Sequence, residues 1–424
     1  MRNIVIVGNG AAGNSAAETV RNHNQQIPIV MVAREELPEY SACALPDYLS
    51  GWVNRKQLFI KNEEDYIRQN IQTLLGREVR KIDAEHHILV TGREEIEYDR
   101  LILATGSRAV IPPVPGCDLP GNFVVKTVGD IEAVMLHQPR QVVVVGSGNI
   151  GIEVAEALHL RGCQVTVVEL MDHILPRIFD SQPAALISKM LTEHGIQVLT
   201  GEKVLAVVGD AQVEKVTTDQ QVLKCDTVIW AAGVRQNVEN ARAAGVKIGE
   251  LGGIQVDSRM QTSREGIYAC GDCIESMDML TGLPTLSLLW PNAKRQGQIA
   301  ALNCLGQQVD YEGALSLVVE DIFGVTVVSM GMTSKALSSG DKKILKGHSH
   351  KQYWQVLLLN DRIVGMQAIG VTSGLGAVMA LMKNRTTLSE FHHIIADPDL
   401  MLKATWYLPA RQFLDNYLIC RSGE

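Results

Sequence analysis

A lone cysteine and two glycine-rich turns are the residues in this sequence with the clearest chemical potential. Cys43 lies in the stretch EYSACALPDY, and a cysteine thiolate is both a nucleophile and a redox group. The turns read GNGAAG from Gly8 and GSGNIG from Gly146. Glycines at this spacing let backbone N–H groups come close to a pyrophosphate. The sequence therefore places a candidate redox sulfur soon after a candidate nucleotide-binding turn.

Each glycine turn has a strand before it and a helix after it, as dinucleotide binding requires. Residues 3–7 are apolar and strand-like, and SAAETVRNH follows as a helix; residues 141–145 and IEVAEALHLRG repeat this order. The first glycine permits the turn, the second lets backbone approach the ligand, and the third lets helix and strand pack closely. We expect one site at Gly8, Gly10, Ala11 and Gly13, and another at Gly146, Gly148, Ile150 and Gly151.

Acidic residues at the ends of the next strands are candidate ribose ligands. The strand CQVTVVE ends at Glu169, 18 positions beyond Gly151, near the ~20-residue offset of an acid that binds the ribose hydroxyls of NAD. Residues 170–175 contain no Arg or Lys to hold the extra phosphate of NADP, so NADH is favoured over NADPH. An exposed acid at a strand end is the alternative for Glu169. In the first unit the candidate is Glu35, next to Arg34.

The composition excludes several functional classes. The 424 residues, 46% hydrophobic and 20% charged, fit a globular protein of about two to four domains. A net charge of −8 argues against a nucleic-acid surface, and no apolar run reaches the ~20 residues of a membrane span. The eight cysteines lack the regular spacing of a disulfide scaffold. We therefore expect a cytoplasmic protein without a nucleic-acid partner.

Three further motifs complete a known pattern. Residues 103–107 (LATGS) and 230–233 (WAAG) end two strands, and TSREGIYACGD covers 262–272. Together with the glycine turns, they make the chain resemble the FAD-dependent pyridine nucleotide-disulfide oxidoreductases over essentially its full length. The resemblance implies an α/β fold with two Rossmann-like dinucleotide-binding domains, for FAD and NAD(H), plus an α+β C-terminal dimerisation domain. It also implies cofactor contacts at Val79, Ala104, Thr105, Gly106, Gly233, Gly271 and Asp272.

The resemblance divides the chain into three domains. The FAD domain would be discontinuous, residues 1–118 and 247–318, and would enclose an NAD domain of residues 119–246. Residues 319–424 would form the dimerisation or interface domain. In that last part, WQVLLLNDRIVGMQAIG predicts two strands around an Asn-Asp turn, and VTSGLGAVMALMKNR predicts a helix.

A C-x-x-C pair, Cys270 and Cys273, lies inside one of these motifs. A zinc site would need a second such pair, so we predict no metal. The resemblance implies that Asp272, between the two cysteines, accepts hydrogen bonds from the ribityl hydroxyls of FAD. The cysteines are then packing residues.

Members of the resembled family carry either a C-x4-C disulfide or a single cysteine beside the flavin. Tyr48 stands where the second cysteine would be, so the chain resembles coenzyme A disulfide reductases, persulfide reductases and NADH oxidases. This implies that Cys43 lies against the flavin and alternates between a thiolate and a mixed disulfide or sulfenic acid. Its position at a helix start predicts a lowered thiol pKa. A buried structural cysteine is the alternative.

Two departures favour another branch of the family. Ala42 stands where coenzyme A disulfide reductases carry Asn, and residues 395–413 contain no counterpart of their tyrosine-proline segment. The frame around Tyr40 and the motif LWPNAKRQG at 289–297 are closer to flavin subunits of phenylglyoxylate dehydrogenase-type complexes. There a helix points its N-terminus at the flavin, which implies contacts from Trp290, Asn292 and Ala293.

One acid in the second glycine turn's helix is a candidate catalytic group. Glu153, two residues after Gly151, matches a family glutamate near the nicotinamide and would orient that ring. The alternative is a favourable acid in a first helical turn.

Three functional interpretations follow. The leading one is an FAD flavoprotein that transfers electrons between NAD(H) and an acceptor, as a homodimer or as the NAD(H)-reactive subunit of a complex with iron–sulfur partners. The alternative is a stand-alone NADH-dependent disulfide or persulfide reductase, or an NADH oxidase, that uses Cys43. The third is a redox sensor that binds NADH. The chain has no iron–sulfur cysteine cluster of its own.

We expect NADH to reduce the bound flavin at least ~10-fold faster than NADPH, because Glu169 repels a 2′-phosphate that no basic residue nearby would hold. Stopped-flow flavin reduction with both nucleotides measures the ratio. Equal rates for the two nucleotides would contradict the prediction.

Overall fold

The computed structural model describes residues 3–337, 340–348, 352–371 and 374–389. None of the helices in these ranges combines the length and the apolarity that a bilayer crossing requires. The helices are α1 (Ala11–His23), α2 (Leu45–Ser50), α3 (Glu63–Arg68), α4 (Val128–His137), α5 (Asn149–Leu160), α6 (Ser181–Glu193), α7 (Glu239–Ala243), α8 (Trp290–Cys304) and α9 (Leu375–Asn384).

The strands follow one another in four groups. The first group is β1 (Ile4–Val7), β2 (Ile29–Val32), β3 (Ile71–Leu74), β4 (Val79–Asp83), β5 (Ile88–Thr91), β6 (Glu95–Glu97), β7 (Arg100–Leu103) and β8 (Ser107–Ala109). The second is β9 (Asn122–Val124), β10 (Gln141–Val145), β11 (Gln164–Glu169), β12 (Gln197–Thr200), β13 (Val204–Val208), β14 (Lys215–Thr218), β15 (Val222–Lys224), β16 (Thr227–Trp230) and β17 (Val234–Gln236). The third is β18 (Ile254–Gln255), β19 (Ile267–Ala269), β20 (Ile274–Met277) and β21 (Pro284–Thr285). The fourth is β22 (Leu317–Ile322), β23 (Val325–Gly331), β24 (Lys342–His348), β25 (Tyr353–Leu359) and β26 (Arg362–Ile369).

Two parallel sheets confirm the predicted α/β fold class. The first has the order β19-β7-β1-β2-β3, and the second has the order β12-β11-β10-β16-β9. In each, the strand before the glycine turn has neighbours on both sides, β1 between β2 and β7 and β10 between β11 and β16. At β1 and β10 the order of the strands switches from one side of the sheet to the other, although all the strands stay parallel. The glycine turns therefore lie at the switch points where such sheets bind ligands.

The chain passes between the two parallel sheets through a pair of adjacent segments. β8 follows the LATGS segment, β17 follows the WAAG segment, and the two strands pair antiparallel. The domain limits at 118/119, 246/247 and 318/319 stay a prediction.

A third sheet is antiparallel, in the order β22-β23-β26-β25-β24. The predicted hairpin is confirmed as β25 and β26, joined at Asn360 and Asp361, which have φ of 51° and 63°. Such a turn matches the twist of the strands it connects. The predicted helix is α9. Residues 395–413, where the missing tyrosine-proline segment was noted, lie outside the described residues.

Asp180, which precedes α6, makes hydrogen bonds to the third sheet and to the segment between its strands. The Asp180 carboxylate, just before α6, accepts hydrogen bonds from the N–H and Oγ of Ser334, both at 2.9 Å, and from Nε2 of Gln355 at 2.6 Å. The Asp180 N–H donates to Oε1 of Gln367 at 2.8 Å. The third sheet is therefore joined to the segment that precedes α6 by a charged group with specific donors.

Asp180→Ala should lower the free energy of unfolding by about 2–3 kcal/mol, because hydrogen bonds to a charged acceptor are lost while their donors stay in the interface. Urea unfolding followed by circular dichroism measures the change. Asp210→Ala, at an exposed position, is the control and should be neutral. Equal stability of the two variants would show that Asp180 does not hold the interface.

Candidate active site

The first glycine turn has the geometry that a bound pyrophosphate requires. Gly8 has φ of 118°, and a Cβ there would lie 2.0 Å from the carbonyl oxygen of Ala104. A Cβ on Gly13 would lie 2.0 Å from the carbonyl oxygen of Gly8, whereas a Cβ on Gly10 would meet nothing within 4 Å. The first and third glycines are thus needed for packing, and the second faces the space where a ligand approaches.

The second turn repeats this division of roles. Gly146 has φ of 102°, and its Cβ would lie 2.4 Å from the carbonyl oxygen of Ala231; a Cβ on Gly151 would lie 2.1 Å from the carbonyl oxygen of Gly146. Gly148 again faces open space. Beside it, the side chain of Ile150 is 43% exposed, although isoleucine is usually buried. Open space and an exposed apolar side chain fit a nucleotide.

Glu169 holds the second turn together. Its carboxylate accepts from the N–H of Ser147 at 2.8 Å, from the Ser147 hydroxyl at 2.6 Å and from the N–H of Met171 at 2.8 Å. Only 7% of the residue is exposed, so the alternative of an exposed acid at a strand end is wrong. Its predicted contact with the NAD ribose stays a prediction.

The first turn is fastened to the segment that leads to Cys43. The Tyr66 hydroxyl donates to Oδ1 of Asn9, inside the turn, at 2.8 Å, and accepts from the N–H of Glu39 at 3.0 Å. Nδ2 of Asn9 donates to the carbonyl oxygen of Leu37 at 3.0 Å. Sequence inspection missed Tyr66, because nothing in its local pattern indicates a partner 57 positions away.

A buried lysine adds a second link between α1 and the same segment. Nζ of Lys61 lies 2.7 Å from Glu18, 3.0 Å from Oδ1 of Asn14 and 3.5 Å from Glu39. Burial raises the pKa of Glu39 to about 7, although Lys61 acts in the opposite direction. These contacts were also missed from the sequence.

Several other residues predicted to contact a cofactor have the following positions. A cavity of about 60 Å³ beside the turn is lined in part by Val7, Val79 and Thr105. Glu35 is half-buried and accepts from the Tyr40 hydroxyl at 2.9 Å, while Arg34 is exposed. Gly106 and Gly233, each with positive φ and open space at its Cβ position, lie where the paired crossover segments begin.

The motif TSREGIYACGD, residues 262–272, approaches the first glycine turn very closely. Gly271 has φ of 80°, and a Cβ there would lie 2.8 Å from Cβ of Ala12. Its N–H donates to Oε1 of Gln296 in α8 at 2.9 Å. A Cβ on Gly297, in the same helix, would lie 2.2 Å from the carbonyl oxygen of Ala12. Helices α1 and α8 thus bring the predicted motifs together.

The start of α8 is fixed by the predicted residues themselves. Trp290 is the first residue of the helix and is half-buried. Nδ2 of Asn292 donates to the Ser287 hydroxyl at 2.6 Å and to the carbonyl oxygen of Leu315 at 2.9 Å. Ala293 is buried. Cys270 and Cys273 are buried and unpaired, as packing residues are.

Cys43 lies just before α2, the short helix that packs against α5 of the second parallel sheet. It is exposed, in a single 3₁₀ turn at Ala42–Ala44 that continues into α2. The buried residues Leu45 and Leu49 of α2 pack with α5 of the NAD domain. This exposure argues against a buried structural cysteine, and the redox role of Cys43 stays a prediction.

The charges around Cys43 come from both domains. Partial desolvation raises the thiol pKa, Glu153 and Asp272 raise it further, and Lys126 lowers it. Nζ of Lys126 lies 3.2 Å from the Asp272 carboxylate, which also accepts from the Ser107 hydroxyl at 3.0 Å. The lowered pKa expected from the helix start is wrong, because a helix of six residues offsets little of the desolvation and the two acids.

These features define a two-dinucleotide flavoprotein with one sulfur at the domain boundary. The sequence profile of the pyridine nucleotide-disulphide oxidoreductases matches residues 2–297, and the chain belongs to this family. It is an FAD-dependent NAD(P)H oxidoreductase. The open space at Gly10 and Gly148 fits the two cofactors.

Individual relatives cover most of the chain. An NADH oxidase of Methanocaldococcus jannaschii is 38% identical over 351 residues, 80% of this chain and 78% of the relative. A CoA-dependent NAD(P)H sulfur oxidoreductase of Pyrococcus abyssi is 31% identical, over 92% of this chain and 93% of the relative. The epsilon subunit of the NADH-dependent phenylglyoxylate dehydrogenase of Aromatoleum evansii is 28% identical, over 78% of this chain and 79% of the relative.

A solved structure shares the fold over most of the chain. An NAD-dependent persulfide reductase of A. fulgidus superimposes with a TM-score of 0.86 at 27% identity, over 92% of this chain and 78% of that chain. The resemblance stated from the sequence motifs is thereby confirmed.

Gly10→Ala and Gly13→Ala should separate ligand binding from folding. Gly10 has an extended backbone and open space, so the alanine variant should fold normally but bind FAD at least ~10-fold more weakly, since a methyl group enters the ligand space. Gly13→Ala should lose stability even without FAD, because its Cβ meets a carbonyl oxygen.

Flavin fluorescence titration and thermal unfolding measure the two effects in both variants. If Gly10→Ala binds FAD as tightly as the unmodified protein, the first turn is not the FAD site.

Proposed function

We propose that the protein is an NADH-dependent reductase of small disulfides or persulfides that uses Cys43 as its redox sulfur. The observation that carries this proposal is the set of charged groups that act on the Cys43 sulfur, which are Glu153 of α5, Asp272 and Lys126. A thiolate nucleophile needs nearby charges that control its protonation, whereas a cysteine that only packs needs none.

The reaction balances with NADH as the only electron donor. The Cys43 thiolate attacks one sulfur of R–S–S–R′, the S–S bond breaks, and R′–S⁻ leaves with a proton from solvent. FAD would be held at the first glycine turn, where Gly10 leaves open space, and would supply the relay of two electrons from NADH to sulfur. Those electrons cleave the Cys43–S–S–R bond, which restores the Cys43 thiolate and releases the second thiol after one protonation.

The chain's own groups divide the remaining work. Lys126 is the cation that lowers the pKa of the Cys43 thiol, so it favours the thiolate. Asp272 fixes this lysine through their ion pair. Glu153, from α5, also acts on the sulfur and disfavours its thiolate. One cation and two acids thus set the pKa of the Cys43 thiol.

The relatives support sulfur or oxygen chemistry at this centre. Those of comparable length are named as an NADH oxidase and as a CoA-dependent NAD(P)H sulfur oxidoreductase. The seven cysteines within the described residues are all free thiols, as a reducing compartment permits, and we place the activity in the cytoplasm.

A second candidate is the role of an electron-transfer subunit. Trp52, just beyond the C-terminal end of α2, is 80% exposed and lies next to the exposed Arg55 and Lys56. Exposed tryptophan and arginine are typical of protein interfaces. In this role an iron–sulfur protein would dock beside α2 and take electrons directly, in a larger complex or on a homodimer, and Cys43 would only tune the flavin.

Cys43→Ser should reduce NADH-driven turnover of coenzyme A disulfide and of glutathione persulfide by at least ~100-fold, because a hydroxyl does not replace a thiolate nucleophile. NADH reduction of the flavin should stay within ~2-fold, since that step does not involve sulfur. Steady-state NADH oxidation and stopped-flow flavin reduction measure the two steps.

Cys117→Ser, at a half-buried cysteine elsewhere, is the matched control. Turnover that survives in Cys43→Ser would exclude the reductase. Turnover absent even in the unmodified protein, with fast reduction of an added ferredoxin, would favour the second candidate.

A further inference from the structure

A buried acid of the third domain has no partner for one of its oxygens. Glu320 lies on β22, where Val318, Glu320 and Ile322 alternate as the buried face. The residue is 8% exposed, and its Oε2 has no hydrogen-bond partner. A buried carboxylate without a donor is costly, so this side chain requires an explanation.

Glu320 faces the two acids of α5. Glu153 and Glu156 are three positions apart and lie on one face of that helix. The hairpin after β22 contacts this face, since the N–H of Phe323 donates to Oε1 of Glu156 at 2.8 Å. Glu320 interacts electrostatically with both glutamates. Three carboxyl groups from two domains therefore converge.

The charged neighbours of this group are mostly acidic. The charged groups that raise the pKa of Glu153 are, from the largest effect to the smallest, Glu320, Asp47 of α2 and Glu156. Within the part of the chain that the structure describes, the charged groups that shift the pKa of Glu153 and of Glu320 are all acidic. Asp321 and His194 act on Glu156, which has its own backbone donor. Two buried carboxylates without a cation do not both ionise at neutral pH.

Burial and neighbouring acids raise the pKa of both Glu153 and Glu320. Burial, then Glu320, raises the pKa of Glu153 to about 8. Burial, then Glu156, raises the pKa of Glu320 to about 7. Glu153 is also the first of the charged groups that act on the Cys43 sulfur.

We propose that Glu320 is a positioning residue that keeps the Glu153 carboxyl protonated at neutral pH, so that Cys43 faces a neutral proton donor instead of an anion. The proton-donor role rests on the proposed reductase function. When two electrons cleave the Cys43–S–S–R bond, the Glu153 proton passes to R–S⁻, and Glu153 regains a proton from solvent before the next cycle. The Cys43 sulfur leaves this step as a thiolate.

The test is the rate of iodoacetamide alkylation at Cys43 against pH in the FAD-loaded protein, followed on the Cys43 peptide by mass spectrometry. In Glu320→Gln, Glu153 should ionise at lower pH, and its charge should disfavour the neighbouring thiolate. We expect alkylation at pH 7 to fall about 3–10-fold, which corresponds to up to one unit of thiol pKa. The difference should vanish above about pH 9, where Glu153 is ionised in both proteins.

Glu153→Gln decides whether Glu320 acts through Glu153. In that background, Glu320→Gln should have no further effect on alkylation. Glu320→Met should reproduce Glu320→Gln, and Asp321→Asn, which keeps the acceptor for the Gly324 N–H, should not. Thermal unfolding verifies that all variants are folded.

An unchanged alkylation rate at pH 7 in both Glu320 variants would overturn the proposal, as would an equal change in the Glu153→Gln background. Alkylation does not require turnover. The proposed reductase function can therefore fail in the Cys43→Ser experiment while this inference about Glu320 holds, and the reverse is equally visible.

Discussion

One apolar cluster joins all three parts of the molecule and fixes the redox site. Leu45 and Leu49 of α2, Ile152 of α5, and Ile322 and Val327 of the third sheet are buried in the same cluster. Burial of each such side chain stabilises the fold by roughly 1.5–3 kcal/mol. Because α2 begins just after Cys43 and β22 carries Glu320, this packing sets which acids lie near the sulfur.

The cofactor side of the site depends on a different constraint, the absence of side chains where backbones meet. Gly13 and Gly297 leave no room for a Cβ, and Gly271 approaches Ala12. The hydrogen bonds of Tyr66 and Lys61 connect this region to the segment before Cys43. The first glycine turn, where we expect FAD, and the segment before Cys43 are therefore held together by direct hydrogen bonds and an ion pair.

Local pattern predicted the fold well, because glycine spacing, strand periodicity and strand-end motifs depend on nearby residues. Helix α1 nevertheless begins at Ala11, before the stretch assigned to it. The shift of the Cys43 pKa was predicted in the wrong direction. Desolvation and two acids that are distant in the sequence, Glu153 and Asp272, outweigh the effect of the helix. Lys126 and Glu320 gave no sequence signal, since residues 317–322 read LVVEDI and only the structure shows that Val318, Glu320 and Ile322 share the buried face of the strand.

The central claim is that electrons from NADH reach the sulfur of Cys43. The most direct measurement is an anaerobic NADH titration of the FAD-loaded protein after Cys43 has been capped with coenzyme A as a mixed disulfide. The account predicts that about two equivalents of NADH are consumed, one for the flavin and one for the disulfide, with release of free coenzyme A. Consumption of about one equivalent, with the cap still in place, would contradict it.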